Sequence, residues 1–330
     1  MRSFVLAVAL VLALAAVPVR AGAAPLTVAV TVEPQEYFLK KVGGDRVRAL
    51  VLVPAGADPH VFEPRPGQMK ALAGAAAWFT VGMEMEEAWL PRFRAVNPAM
   101  RVVPTDAGIA KLPMAGHEHG GSEHAEGRES AEKRENAAAG ATAAESRREG
   151  REQAEAHEHA GEAHHHGLLD PHIWLSPALA KVQAAAMRDA LASLDPEGAA
   201  AYAANWAAFA AECDVLSRDL STLLAGLPSR AFMVFHPSWG YFARDLGLEQ
   251  LAIEVEGKEP SPRDLARLVD EAREHGIRAI FVAPQFSRRT AGVVAREVKA
   301  GLVEADPLAG DWADNLRRVA RSLAAAATRN

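Results

Sequence analysis

Three histidines stand in settings suited to holding a ligand. His60 lies in Gly56-Ala57-Asp58-Pro59-His60, His172 in Leu169-Asp170-Pro171-His172-Ile173-Trp174, and His236 in Val234-Phe235-His236-Pro237-Ser238-Trp239. Each neighbours a proline, whose ring fixes the backbone and so helps to hold a side chain in set geometry. None lies on an amphipathic helical pattern. Neutral imidazole suits a borderline divalent cation, and zinc takes three protein ligands at about 2.0–2.1 Å plus one further group. Asp306, in Glu304-Ala305-Asp306-Pro307-Leu308, is the candidate for that fourth place. Asp58 and Asp170 each stand two residues before a histidine, and they are expected to orient the imidazole or the local turn. A single loop histidine is more often a surface or capping residue. His275 illustrates that alternative: it falls in the last turn before Gly276, where positive charge complements the helix dipole.

The elements that must carry these residues alternate. Residues 26–32, 46–53, 77–81 and 101–103 read as strands, with helices at 34–42, 67–73 and 86–96. Two helical stretches follow, 177–194 and 196–224; the first opens with Ser176 as N-cap and Pro177 at the first helical position. Alternation then resumes, with strands at 231–235, 251–255, 278–282 and 301–304 and helices at 238–246, 261–275, 287–299 and 311–327. Such alternation implies βαβ units and mostly parallel sheets. In such sheets ligands gather beyond the C-terminal ends of the strands. His236 ends one expected strand, and His60 lies on the loop that follows another. Tyr202, Trp206, Phe209, Cys213, Leu216, Leu220 and Leu224 recur every three or four residues, which marks one face of a helix roughly 40 Å long. The expected fold is two α/β lobes, residues 24–195 and 227–330, joined by a long rigid helix at 196–226.

Composition separates a second region. The chain has 330 residues, with 36 Lys and Arg against 42 Asp and Glu, a net charge of −6. Residues 115–167 hold 12 Glu and six Lys or Arg, so this stretch alone carries −6. It also holds eight of the 12 histidines: His117, His119, His124, His157, His159, His164, His165 and His166. The stretch has no apolar period, so it is expected to be a mobile insert. His-rich tracts bind borderline metals weakly at several sites; an artificial tag fits poorly, because the histidines are internal and mixed with Glu. A net acidic chain lacks the electrostatic footprint of a nucleic-acid binder. The one cysteine, Cys213, excludes an intramolecular disulfide, a Cys₄ zinc site and a Cys-x-x-Cys pair. On its helical pattern it is expected to be a buried, inert thiol.

The N-terminus has Arg2, an apolar run over residues 4–17, and small residues at Ala21-Gly22-Ala23-Ala24. That layout is a secretory signal peptide over residues 1–23, cut after Ala21 or Ala23. Pro18 and Arg20 count against a buried helix. No cysteine follows the run, so the mature chain is expected to be soluble and without a lipid anchor, in the periplasm of a bacterial source.

The stretches GADPHVFEPRPGQMKAL, LDPHIWLSP, FHPSWGYFARDLGL, EVEGKEPSPRDL, AIFVAPQFS and EADPLAG occur in that order. In them the chain resembles the zinc-uptake solute-binding proteins of ABC transporters, a group of periplasmic metal receptors that also has manganese-binding members. A His- and acid-rich insert before LDPHIW is typical of the zinc-specific members. The resemblance implies two α/β lobes joined by a rigid helix, with the metal in the cleft between them. It maps three histidine ligands onto His60, His172 and His236, and the aspartate of some members onto Asp306; in others water or another carboxylate takes that place. Manganese-type members usually carry a carboxylate where this chain has His236, and a third imidazole favours zinc. Ala283 stands where many relatives have Glu, a position outside the carried-over ligands, and the paired cysteines of some relatives are absent.

The implied function is capture of Zn²⁺ and delivery to an ABC permease in the inner membrane, by a monomer, with a periplasmic metallochaperone as a further partner. The alternatives are a manganese or iron receptor of the same family and, from another class, a zinc-dependent hydrolase. Against the hydrolase, the chain has no His-Glu-x-x-His, no evident general base, and a fourth ligand that would close the site. An adhesin role is a third alternative, against which the lack of a surface anchor counts.

Overall fold

A computed structural model describes residues 24–114, 169–254 and 258–328. The chain divides into two compact units. Of the described residues, the first holds 24–107, 180–215 and 308–312, and the second holds 108–114, 169–179, 216–254, 258–307 and 313–328. Among the described residues no helix is long and apolar enough to cross a membrane.

In the first unit β1 (Leu26–Val30), β2 (Val47–Val51), β3 (Ala77–Thr80) and β4 (Arg101–Pro104) form a parallel sheet in the order β2-β1-β3-β4. Its helices are α1 (Glu33–Gly43), α2 (Pro66–Leu72) and α3 (Glu84–Val96), with most of α4 (Pro177–Leu194) and the start of α5 (Ala199–Leu223). Helix α1 has Pro34 in its first turn, acids at its start and Lys40 and Lys41 at its end, which complements the helix dipole. Ala29, Leu52, Leu72, Trp78, Phe93 and Met100 form one core cluster, in which the Trp78 and Phe93 rings meet edge-on at 4.9 Å. Phe38 packs at 5.6 Å from Phe209 of α5 and edge-on at 4.9 Å from Trp312.

Pro196–Gly198 form a short 3₁₀ turn before α5, so the long helix begins three residues after the expected start at 196. Arg46 grips Asp195 at 2.7 and 2.9 Å, and the Tyr202 hydroxyl donates to the same carboxylate at 2.6 Å. These bonds, that from Arg46 foremost, hold the Asp195 carboxyl down to about 2. The expected apolar face of α5 is buried at Tyr202, Phe209, Cys213, Leu216 and Leu220. Trp206 is only half-buried and is covered by the Arg188 guanidinium at 4.4 Å from its ring.

Burial pushes the Cys213 thiol up to about 12, so it is protonated and enclosed. The native chain should therefore resist a disulfide-exchanging reagent at pH 8 and react with one thiol per chain after denaturation. Rapid labelling of the native chain would contradict this.

In the second unit β5 (Ala231–Val234), β6 (Glu249–Ala252), β7 (Ala279–Val282) and β8 (Gly301–Glu304) form another parallel sheet, in the order β6-β5-β7-β8. Its helices are α6 (Gly240–Leu246), α7 (Pro262–Glu274), α8 (Arg288–Val298) and nearly all of α9 (Trp312–Ala327). Ser261 caps α7 by accepting from Asp264 N–H, and Asp264 accepts in return, a reciprocal cap that satisfies donors at the helix start. Met233, Ile253, Leu268, Ile280 and Val294 are among the buried core residues. Strand β6 begins at Glu249, two residues before the expected start at 251. It is an edge strand, and an edge tolerates the polar Glu249 and Gln250 that obscure the strand pattern.

Both sheets have the same order, with the first strand between the second and the third. The order reverses at that strand, and ligands favour the carboxyl ends of strands at such a point. Thr31, Val81 and Thr105 follow strand ends in the first sheet; His236, Glu254, Ala283 and Asp306 follow strand ends in the second.

Candidate metal centre

Asp-Pro-His is one turn used twice. His60 N–H donates to Asp58 Oδ1 at 2.9 Å, and His172 N–H donates to Asp170 Oδ1 at 2.9 Å. The aspartate closes a local turn around its proline. At His172 the carboxylate does more, since Asp170 Oδ1 also lies 2.7 Å from the ring Nδ1. Both side chains are almost fully enclosed, with 2% and 3% exposed. The surroundings of Asp170 are fixed by backbone bonds: its N–H donates to Leu112 O at 2.8 Å, and its C=O accepts from the Tyr241 hydroxyl at 2.8 Å. Gly240, at the start of α6, comes so close that an added Cβ would meet Asp170 Oδ2 at 2.8 Å. Trp174 stands edge-on to His172 at 5.2 Å, and its indole N–H donates to Pro307 O at 2.7 Å.

His236 follows β5 in the same unit. Its Nδ1 lies 2.8 Å from Glu254 Oε1, and Phe286 stacks on its ring at 5.2 Å. The rings of His172 and His236 are 5.3 Å apart, and each offers a ring nitrogen within 4.8 Å of the other's. Each Nδ1 thus lies within hydrogen-bond distance of its own carboxylate. The His172 side chain is buried and that of His236 is 12% exposed, and a carboxylate stands behind each ring.

His60 belongs to the first unit, on the loop after β2. Its ring is one-fifth exposed, and Nδ1 lies 3.6 Å from Glu84 Oε2, itself more than half exposed. Glu84 opens α3, and the turn before it is anchored by Glu86. The buried Glu86 carboxylate accepts from the N–H groups of Val81, Gly82 and Met83 at 2.7–3.1 Å and from the Thr31 hydroxyl. Gly82 has φ 78°, a left-handed conformation suited to glycine that lets three successive N–H groups converge on one acid.

Asp306, beyond β8, accepts from Gln285 Nε2 at 2.9 Å, while its C=O accepts from Asn315 at 2.7 Å. The eight insert histidines, from His117 to His166, lie outside the described residues, as does the N-terminal stretch 1–23. His275 faces Glu249 at 3.4 Å, away from the C-terminal strand ends. Glu254 and Phe286 escaped the sequence reading. The signal for Glu254 is strand pairing: Val234 faces Ala252, and two more steps set His236 opposite Glu254.

The comparisons with known proteins agree with one another. Residues 28–326 match the family model for the periplasmic zinc-uptake complex component A, ZnuA. The chain is 35% identical to the high-affinity zinc uptake system protein ZnuA of Paracoccus denitrificans, over 87% of each chain. It is 33% identical to the protein of that name from Haemophilus influenzae, over 90% of this chain and 88% of the other. Among solved structures, a crystal structure of ZnuA superposes with a TM-score of 0.75 at 38% identity, covering 92% of this chain and all of that one. With two parallel α/β sheets and a pair of carboxylate-backed imidazoles, the chain belongs to the family of periplasmic zinc-uptake solute-binding receptors.

Proposed function

We propose that this chain captures Zn²⁺ in the periplasm through His60, His172 and His236 and delivers it to an ABC permease of the inner membrane. The observation that carries this reading is the neighbouring His172–His236 pair, each Nδ1 on its own carboxylate. Three imidazoles favour zinc over manganese, which prefers oxygen ligands. Asp306 or a water completes the tetrahedron. In this reading the chain is a receptor and does no catalysis. It is exported by its N-terminal signal, is soluble, acts as a monomer and receives or passes metal through a periplasmic metallochaperone. The histidines of 115–167 add weak sites that raise the local zinc concentration.

Chelator competition at pH 7.5 and 5.0 tests the metal and the ligand type together. Zinc should bind far more tightly than manganese at pH 7.5. Protons compete for any imidazole ligand below about 6.5, so zinc affinity should fall by at least about tenfold at pH 5.0. A flat response, or preference for manganese, would overturn the reading.

A further inference from the structure

His236 is held on two sides, by a carboxylate and by an aromatic ring. Glu254 Oε1 lies 2.8 Å from Nδ1, and the Phe286 ring stacks on the imidazole with an interplanar angle of 30°. Glu254 is only 9% exposed, and its backbone is fixed, because its N–H donates to Phe235 O at 3.1 Å. That bond continues the pairing of β5 with β6, so the carboxylate reaches His236 from the end of the neighbouring strand. A carboxylate this enclosed is costly unless it is hydrogen-bonded, and the imidazole N–H is the donor placed to meet it.

We propose that Glu254 is a positioning residue for zinc capture: by accepting the Nδ1 proton of His236, it fixes the tautomer that presents Nε2 to the ion. The inference rests on His236 being a zinc ligand. A neutral imidazole carries one proton on either nitrogen, and only the other nitrogen has a lone pair for the metal. An unrestrained ring distributes itself between the two forms and between ring orientations, and zinc must select one. The Glu254 bond sets the tautomer before the ion arrives, and the Phe286 stack sets the ring plane. The same carboxylate makes the ring a better donor and adds a negative charge behind the ion. Asp170 bonds His172 in the same way, so the two imidazoles of this unit form a preset pair. Glu84 stands 3.6 Å from the His60 ring nitrogen, farther than either of these carboxylates from its histidine.

The test uses the full chain as wild type, Glu254→Gln, Glu254→Ala and His236→Ala, with circular dichroism as the check on folding. Zinc affinity is measured by chelator competition, and the tautomer of His236 is read in the metal-free chain from ring ¹⁵N shifts. Wild type should show the Nδ1–H form. Glu254→Ala should show a mixture of forms and bind zinc about 10–100-fold more weakly. Glu254→Gln keeps an oxygen that accepts the same bond and should recover most of both properties. Unchanged affinity or an unchanged tautomer in Glu254→Ala would overturn the proposal. So would an equal loss in both Glu254 variants, which would leave the carboxylate a purely electrostatic role. Wild-type affinity in His236→Ala would instead remove the ligand assignment on which the proposal stands.

Discussion

His172→Ala should abolish tight zinc binding and leave a folded chain of lowered stability. A four-ligand zinc site releases about 10–16 kcal/mol, so one ligand accounts for roughly a quarter of it, an affinity loss of about 100- to 1,000-fold. The stability change has a separate cause. His172 and Asp170 are almost wholly enclosed and bonded to each other at 2.7 Å. Without the ring, Asp170 keeps the His172 N–H but loses its side-chain partner, at a cost of about 1–3 kcal/mol. His60→Ala should cause a comparable loss of zinc binding with little change in the melting temperature of the metal-free chain, since that ring is one-fifth exposed. Chelator competition and calorimetry of metal-free samples separate the two effects. Wild-type zinc affinity in either variant would remove that histidine from the site, and equal melting temperatures for the two would contradict the different roles of their aspartates.

Those different roles mark the limit of what the sequence disclosed. The repeated Asp-Pro-His was visible as a motif, and so was the expectation that the aspartate steers the ring or the turn. Which of the two it does depends on burial: Asp58 bonds only the backbone N–H of His60, whereas Asp170 bonds both N–H and ring. Local spacing does not encode burial. The strands were legible for the opposite reason, because Val-, Ile- and Phe-rich segments such as Ala279–Val282, buried at every position, carry their own signal. Strand β6 was legible only in its second half, where the polar edge residues end. Glu254 was hidden inside the stretch read as strand 251–255, where alternation alone would treat it as an ordinary polar position. Its partner is 18 residues away and is set beside it by parallel pairing, a long-range fact. The same holds for the grouping of residues 108–114 and 169–179 with the second sheet, which follows from tertiary contacts and leaves no mark in local pattern.

Glu86 is the largest element that local pattern did not single out, and removing its side chain should be the most damaging change to the first unit. Glu86→Ala would leave the buried N–H groups of Val81, Gly82 and Met83 without their acceptor and would free the Thr31 hydroxyl, which also accepts from Trp78 Nε1 at 3.1 Å. Breaking a buried charged network costs about 3–5 kcal/mol. At roughly 2–4 °C per kcal/mol for a chain of this size, the melting temperature should fall by about 10 °C. The turn before Glu84 would loosen with it, and with that turn the surroundings of His60. Glu86→Gln should be milder, and the difference should depend on pH. Burial pushes the Glu86 carboxyl above the usual range, against the bonds from Thr31, Met83, Val81 and Gly82 that favour the charged form. A raised folded value means that the folded chain holds the proton more tightly than the unfolded chain does. That contribution is fully present below the unfolded value of about 4.3 and is lost as pH rises through the folded value. Glutamine does not titrate, so the variant lacks that loss. The stability gap between wild type and Glu86→Gln, measured by urea denaturation, should therefore be wider at pH 4 than at pH 7.5. A gap that widens with pH would mean that the donor cage, and not burial, governs this carboxylate.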